Sequence, residues 1–327
     1  MKPTYILLGA DGYYGRNFQF YLSELDYNFI AVDKNIPDDF YSSFPIENHL
    51  LDYIRCDLSD RSDFATYGNK DCVKRITSLI EFFKDEVIIV NFAAISFVDY
   101  SIIHPEETIN NNVKCCINGY KLSKHFNSKY IYISTDEVRV NKDENELSPY
   151  VISKRKCEEF LKSQSSDNIY ILRPVNLMDV IASIKGLKQR QRCLLNNIAD
   201  SILSKSSVKL HVGTQKRMFM NMKTACKLLI EIDDYVPHSY PEEDDLIKIV
   251  DVVDIPSLRT SDLPIHDIVY FLHYVYRFKV DEVPNPRGVY QDESYFNVYG
   301  NVKVEEKWNI NSYKMILNAV ERLIKIK

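Results

Sequence analysis

Three of the nine glycines in the chain fall between positions 9 and 15, in Gly9-Ala10-Asp11-Gly12-Tyr13-Tyr14-Gly15, directly after the apolar run Tyr5-Ile6-Leu7-Leu8. Glycines spaced in this way after a strand and before a helix make a phosphate-binding turn. The backbone reverses tightly, approaches a pyrophosphate with no Cβ in the way, and lets the helix start pack close to the strand. The next apolar run, Asn28-Phe29-Ile30-Ala31-Val32, ends on Asp33, where such a turn calls for a carboxylate on a ribose 2′-hydroxyl. A phosphate at that hydroxyl is repelled by the acid, so the pattern favours NAD over NADP, although the adjacent Lys34 softens the repulsion.

Further along, strand-like runs at 53–56, 87–90, 130–133 and 169–172 alternate with helical stretches at about 14–25, 69–84, 105–126 and 150–165. The alternation predicts an α/β fold: a Rossmann-type doubly wound parallel sheet with a smaller C-terminal substrate-binding portion. Residues 1–175 are expected to form the NAD-binding domain and 176–327 mainly the second portion, partly interleaved with the first. Leu246-Ile247-Lys248-Ile249-Val250 reads as a strand returning to the main sheet, and Trp308 to Ile326 as a closing amphipathic helix. Ligands of such sheets bind at the carboxyl ends of the strands. Asp57, Asn91 to Ala94, Ser134 to Glu137 and Arg173 to Asn176 are placed there.

With 327 residues, 45% of them hydrophobic, the chain can bury a large core, and a formal charge of −5 without a basic stripe argues against nucleic acid as a partner. No run is long and apolar enough to cross a membrane, and Met1-Lys2-Pro3-Thr4 leads straight into a strand without a signal peptide, so a cytoplasmic protein is expected. Seven cysteines without Cys-x-x-Cys spacing read as reduced core thiols, and no metal site is expected.

Tyr150-Val151-Ile152-Ser153-Lys154 supplies the second pattern. Residues four apart share a helix face, so the Tyr150 hydroxyl and the Lys154 ammonium can enter one site. A nearby cation favours phenolate and turns the phenol into a base or acid for a sugar or alcohol hydroxyl. Thr135, at the end of a neighbouring strand, can hydrogen-bond the same substrate oxygen.

These residues resemble those of the extended short-chain dehydrogenase/reductases, and more narrowly of the nucleoside-diphosphate-glucose 4,6-dehydratases, over most of the chain. The glycine turn is similar to the family's, as is Cys56-Asp57-Leu58 to its adenine-contacting acid. Ala93-Ala94-Ile95-Ser96-Phe97-Val98-Asp99-Tyr100-Ser101-Ile102, followed by Pro105 and Asn112-Val113, resembles the segment Ala-Ala-Glu-Ser-His-Val-Asp-Arg-Ser-Ile of that group. Ser134-Thr135-Asp136-Glu137-Val138 resembles its diagnostic motif, Arg173 to Asn176 its Arg-x-x-Asn, and Gly213 to Arg217 the turn that holds the nucleotide diphosphate.

The resemblance implies catalytic roles for Thr135, Asp136, Glu137, Tyr150 and Lys154, with Glu137 the base at sugar C5 and Asp136 the acid at the departing C6 hydroxyl. NAD is implied to rest on Gly9, Gly12, Tyr13, Tyr14, Gly15, Asp33, Asp57, Leu58, Ala93, Ala94 and Asn112, together with Tyr150 and Lys154. Ser96, Thr135, Asn176 and Arg217 are implied to bind a UDP- or dTDP-linked hexose. Family members dimerise through the helices matching 105–126 and 150–165, so a homodimer is expected. The chain departs from the pattern at Ile95 and Phe97, where the group often has Glu and His, and at Arg139-Val140, where it has Tyr-Gly. Only residues 138–149 separate Glu137 from Tyr150, a shorter loop than usual. Two other readings stay open: a 4-keto-6-deoxysugar reductase or sugar 4-epimerase, which needs only Thr135, Tyr150, Lys154 and cofactor, and a nucleotide-binding module without catalysis.

Overall fold

The fold is known from a computed structural model, which describes residues 2–35, 49–60, 70–83, 86–179, 194–211, 216–236, 247–260, 262–283 and 310–326. Its centre is a seven-stranded sheet in which every pairing is parallel. The strands are β1 (Thr4–Leu8), β2 (Phe29–Asp33), β3 (Leu50–Arg55), β4 (Val87–Asn91), β5 (Lys129–Ile133), β6 (Ile169–Arg173) and β11 (Lys248–Asp251). Across the sheet they run β3-β2-β1-β4-β5-β6-β11. β1, β2 and β4 are buried at every position, as expected of parallel strands covered on both faces, which read as continuous apolar runs.

Side-chain alternation assigns the two faces. Tyr5, Leu7, Phe29, Ala31 and Val90 meet α1 (Tyr13–Glu24) and α7 (Met222–Ile230) in one core. Ile6, Leu8, Ile30, Val32 and Ile89 meet α2 (Lys70–Phe83), α4 (Pro105–Phe126) and α5 (Pro149–Lys162) in a second. The short α3 (Val98–Ile103) precedes α4. α4 has the limits expected from its sequence, because its ends are chemically marked. Pro105 opens it with Glu106 and Glu107 in the first turn, Lys124 and His125 occupy the last, and Asn127 ends it in the left-handed conformation. Its Gly119 lies so close to β4 that a Cβ there would come within 2.7 Å of the Asn91 amide nitrogen.

A third core lies beyond the sheet. It is built from α6 (Leu194–Ser204), β8 (Ser207–His211), α8 (Ile265–Tyr276) and α9 (Ile310–Ile326), with Ile198, Leu210, Leu272, Ile316 and Val320 at its centre. β8 pairs in parallel with β13 (Lys279–Val283). Three shorter strands, β7 (Asn176–Met178), β9 (Lys216–Arg217) and β10 (Phe219–Asn221), lead back toward the sheet. β10 pairs with β7, and β9 with β12 (Leu263–Pro264). The expected returning strand is β11, although Leu246 lies outside the described residues, as does Trp308 of the expected closing helix. No helix among the described residues is long and apolar enough to cross a membrane. None of the six described cysteines is in a disulfide, and all six are buried.

Candidate active site

The strand order changes direction between β1 and β4, and the loops that follow these two strands meet there. Gly9 adopts φ +78°, and a Cβ on it would fall 2.5 Å from the Ala93 backbone nitrogen. Only glycine satisfies both the left-handed backbone and the close approach. Gly9→Ala is expected to destabilise the fold by about 1–3 kcal/mol and to weaken NAD binding at least about tenfold, since the turn must move away from the loop after β4. Denaturant unfolding and calorimetric NAD titration check it, and unchanged values in both would contradict it.

From this junction a groove runs along the carboxyl ends of the strands. Gly9, Gly12, Asp33, Asp57, Leu58, Ala93, Ala94 and Ser96 line it, all assigned to a ligand from sequence, together with Lys34, Phe97 and Tyr100, which were noted without such a role, and Asn111, which was not noted. Asp33, at the end of β2, accepts the Asp11 backbone N–H at 2.9 Å and that of Asn35 at 2.9 Å. Burial raises its carboxyl above the usual range while those two N–H groups and Lys34 oppose the rise. Burial also acts to raise Asp57, but the Ser59 hydroxyl and N–H, with Lys34, bring it below its ordinary value. Glycine turn, β2 acid and β3 acid thus share one groove, and its shape and donor set fit a dinucleotide.

The remaining residues assigned to the cofactor support the groove from behind. Tyr14 is buried, donates to the Ala225 carbonyl at 2.6 Å and lies against Phe92. Tyr13 donates to the Asp179 carbonyl. A Cβ on Gly15 would sit 2.8 Å from the Gly9 and Ala10 carbonyl oxygens, so it keeps α1 tight against the turn. Asn112 accepts from Ile95 N–H at 2.7 Å and donates to the Ile95 carbonyl at 3.1 Å and to Ser153 at 2.8 Å, tying the loop after β4 to α4 and α5.

At the other end, Thr135, Asp136 and Glu137 follow β5. Thr135 caps a single 3-10 turn, Asp136–Arg139, its hydroxyl accepting the Glu137 N–H at 3.4 Å and donating to Asp136 at 3.3 Å. Asp136 is 3% exposed. Ser148 caps α5, and Pro149 at its first position sets Tyr150 in the opening turn. The Tyr150 phenol is pushed well above its ordinary value, first by burial, then by the charges of Glu137 and Asp136, against a hydrogen bond with Thr135. Glu137, Asp136 and Thr135 thus lie near the Tyr150 phenol.

The cation expected beside the Tyr150 phenol also has partners of its own. Lys154 is 3% exposed, and its Nζ donates to the Ile133 carbonyl at 2.6 Å, 4.7 Å from the Tyr132 ring centroid and 5.9 Å from that of Tyr150. Burial lowers its ammonium, with Cys157 and Cys116 opposing. The Ile133 carbonyl takes one of the three N–H donors of Lys154, while burial and two carboxylates push the phenol up.

Arg217, on β9, reaches the site across 80 residues of sequence, its guanidinium 4.0 Å from the Glu137 carboxylate. Asn176 opens β7, its N–H bonded to the Met218 carbonyl at 3.2 Å. Gly213 to Gln215 of the expected diphosphate turn lie outside the described residues. Two of the strand-end residues read from sequence, Arg173 and Ser134, meet at Glu158, which sequence reading missed. Arg173 donates to Glu158 on α5 at 3.0 Å, and Glu158 also accepts from Ser134 at 2.6 Å. Glu158's position four residues after Lys154 was the available signal. No cluster of metal-binding side chains occurs among the described residues.

Residues 5–232, well over half of the chain, match the family model described as the NAD dependent epimerase/dehydratase family. None of the curated proteins matches the chain. Among solved structures, TunA, an NAD dependent-NDP-hexosamine 5,6-dehydratase involved in tunicamycin biosynthesis, superposes with TM-score 0.66 at 15% identity, covering 98% of this chain and 97% of its own. A UDP-N-acetylglucosamine 4-epimerase from Methanobrevibacter ruminantium M1, in complex with UDP-N-acetylmuramic acid, gives 0.67 at 18% identity over 100% of both chains. A UDP-glucose-4-epimerase from Stenotrophomonas maltophila, with bound NAD and formylated UDP-arabinopyranose, gives 0.68 at 15% identity over 99% and 98%. At such identities the likeness is one of fold.

Proposed function

The chain belongs to the NAD dependent epimerase/dehydratase family, and from that premise we propose that it is a nucleotide-sugar 4,6-dehydratase, converting an NDP-hexose to an NDP-4-keto-6-deoxyhexose and water. The observation that carries this reading is the Asp136–Glu137 pair in the turn after β5, close enough to Tyr150 that both charges act on its phenol.

NAD bound in the groove supplies reversible acceptance of a hydrogen with its electron pair from the sugar ring. Tyr150 takes the proton of the C4 hydroxyl, and Thr135 holds the same oxygen. The ketone formed at C4 acidifies the C5 hydrogen. Glu137 removes it as a proton, Asp136 protonates the departing C6 hydroxyl, and the C5–C6 double bond that results is then reduced at C6 and protonated at C5. Deeply buried Asp136 and Glu137, which faces Arg217, occupy different surroundings, and two carboxyls so placed can hold opposite protonation states. Arg217, which meets Glu137, and Asn176 are assigned to the nucleotide diphosphate and sugar. The C-terminal portion, residues 176–327, is assigned to the nucleotide sugar, and a second copy of the chain is assigned to the outer faces of α4 and α5.

The 4-epimerases among the similar structures motivate a second reading, because epimerisation needs only Thr135, Tyr150, Lys154 and the cofactor, and not the two carboxylates. Incubating the NAD-loaded protein with UDP-glucose, dTDP-glucose and UDP-N-acetylglucosamine separates the two. A product lighter by one water is expected from at least one of them, and an isomer of unchanged mass would support epimerisation instead.

A further inference from the structure

We infer that Arg139 and Asp251 are positioning residues that hold the Asp136–Glu137 turn in register with the helix carrying Tyr150 and Lys154. The inference rests on the dehydratase reading. Arg139 is the last residue of that turn and stands where the resembling enzymes have Tyr. Its Nη1 lies 3.2 Å from Asp251 at the end of β11 and 2.9 Å from Asp254. The Asp251 carboxylate is 3.4 Å from Arg173, which is bound in turn to Glu158 at 2.5 Å, one helical turn past Lys154. Charges alternate along this path, and it joins the two halves of the proposed chemistry, proton removal at C4 and elimination across C5 and C6.

Partly buried ion networks add little net stability, but they select one geometry, and removing one member leaves its neighbour uncompensated. Asp251 has a side chain only 10% exposed, so its pairing with Arg139 is screened little, whereas Asp254 is 66% exposed and its contact counts for less. Arg155 separately holds the end of the turn and the following loop, donating to the carbonyls of Val138 at 3.2 Å and Lys142 at 3.4 Å and also to that of Val140. Loss of Arg139 should therefore shift the turn slightly without releasing it or the loop.

The test uses the NAD-loaded protein with whichever of UDP-glucose, dTDP-glucose or UDP-N-acetylglucosamine it converts. Oxidation is followed by the near-ultraviolet absorbance of reduced nicotinamide in a single turnover, and elimination by mass spectrometry as loss of water. Arg139→Gln and Asp251→Asn are expected to slow elimination by about 100-fold while oxidation stays within about threefold, because a small misplacement of a catalytic group costs rate of that order. Arg139→Lys should recover part of the loss and Asp254→Asn should resemble the unaltered protein. Calorimetric affinity for NAD should not change in any of them.

Equal loss of oxidation and elimination, no loss of either, or failure of both Arg139→Gln and Asp251→Asn to fold would overturn the inference, since the pair would then be purely structural or idle. If the unaltered protein removes no water from any of the three sugars, the dehydratase reading falls and this inference with it. If it does remove water and Arg139→Gln is indistinguishable from it, only the positioning role falls.

Discussion

Glu137→Gln is expected to slow water elimination by about 10²–10⁴-fold, the usual worth of a general base, while leaving oxidation at C4 largely intact. Glutamine keeps the size and hydrogen-bonding ability of the side chain and loses its capacity to take the C5 proton. A second consequence separates this outcome from general damage. The Glu137 charge is one of the influences that push the Tyr150 phenol upward. Neutralising it removes an obstacle to phenolate, so the acid limb of the pH profile for C4 oxidation should move to lower pH. Stopped-flow absorbance of reduced nicotinamide across pH, together with mass spectrometry of the product, reads both effects. An epimerase or reductase would lose little turnover from this substitution, so full turnover in Glu137→Gln would exclude the elimination role.

Tyr150→Phe is expected to stop both stages, lowering the oxidation rate by about 10²–10⁴-fold because it removes the group assigned to take the C4 hydroxyl proton. NAD affinity, measured by calorimetry, should fall far less than the rate, since only the Tyr150 hydroxyl's own contact is lost and the groove from Gly9 to Ser96 is untouched. The pH dependence has a definite sign. Burial and two carboxylates favour the protonated phenol, so the rate of the unaltered protein should rise with pH as phenolate becomes available, and this limb should be absent from the residual rate of Tyr150→Phe. A variant that oxidises sugar at the normal rate would remove Tyr150 from the mechanism.

The sheet was legible in the sequence because its strands are buried on both faces and therefore read as unbroken apolar runs between polar strand ends. β3 was placed too late, at 53–56 instead of Leu50–Arg55, because its first residues are only half-buried and include Asp52, which carries no apolar signature. Helix limits were readable where caps mark them, as at Pro105 and Asn127. α5 instead stops at Lys162, short of the expected 165, on a Ser163 cap that composition alone does not announce.

The site was legible where chemistry is local. Thr135, Asp136 and Glu137 are consecutive, and Tyr150 and Lys154 share a helix face. What the sequence could not carry is pairing across distance. Arg217 meeting Glu137 and Arg139 meeting Asp251 join residues brought together only by the return of β9 and β11. Nor could spacing show that Lys154 commits one of its three donors to the Ile133 carbonyl, or that Asn112 and Tyr14, assigned to the cofactor, bond to the protein's own backbone.

The most direct test of twin-carboxylate elimination is conversion of a nucleotide hexose in deuterium oxide. The account predicts a product lighter by one water, carrying a single solvent deuterium at C5 and, at C6, the hydrogen that began on C4. A product of unchanged mass, inverted at C4 and free of deuterium, would contradict it.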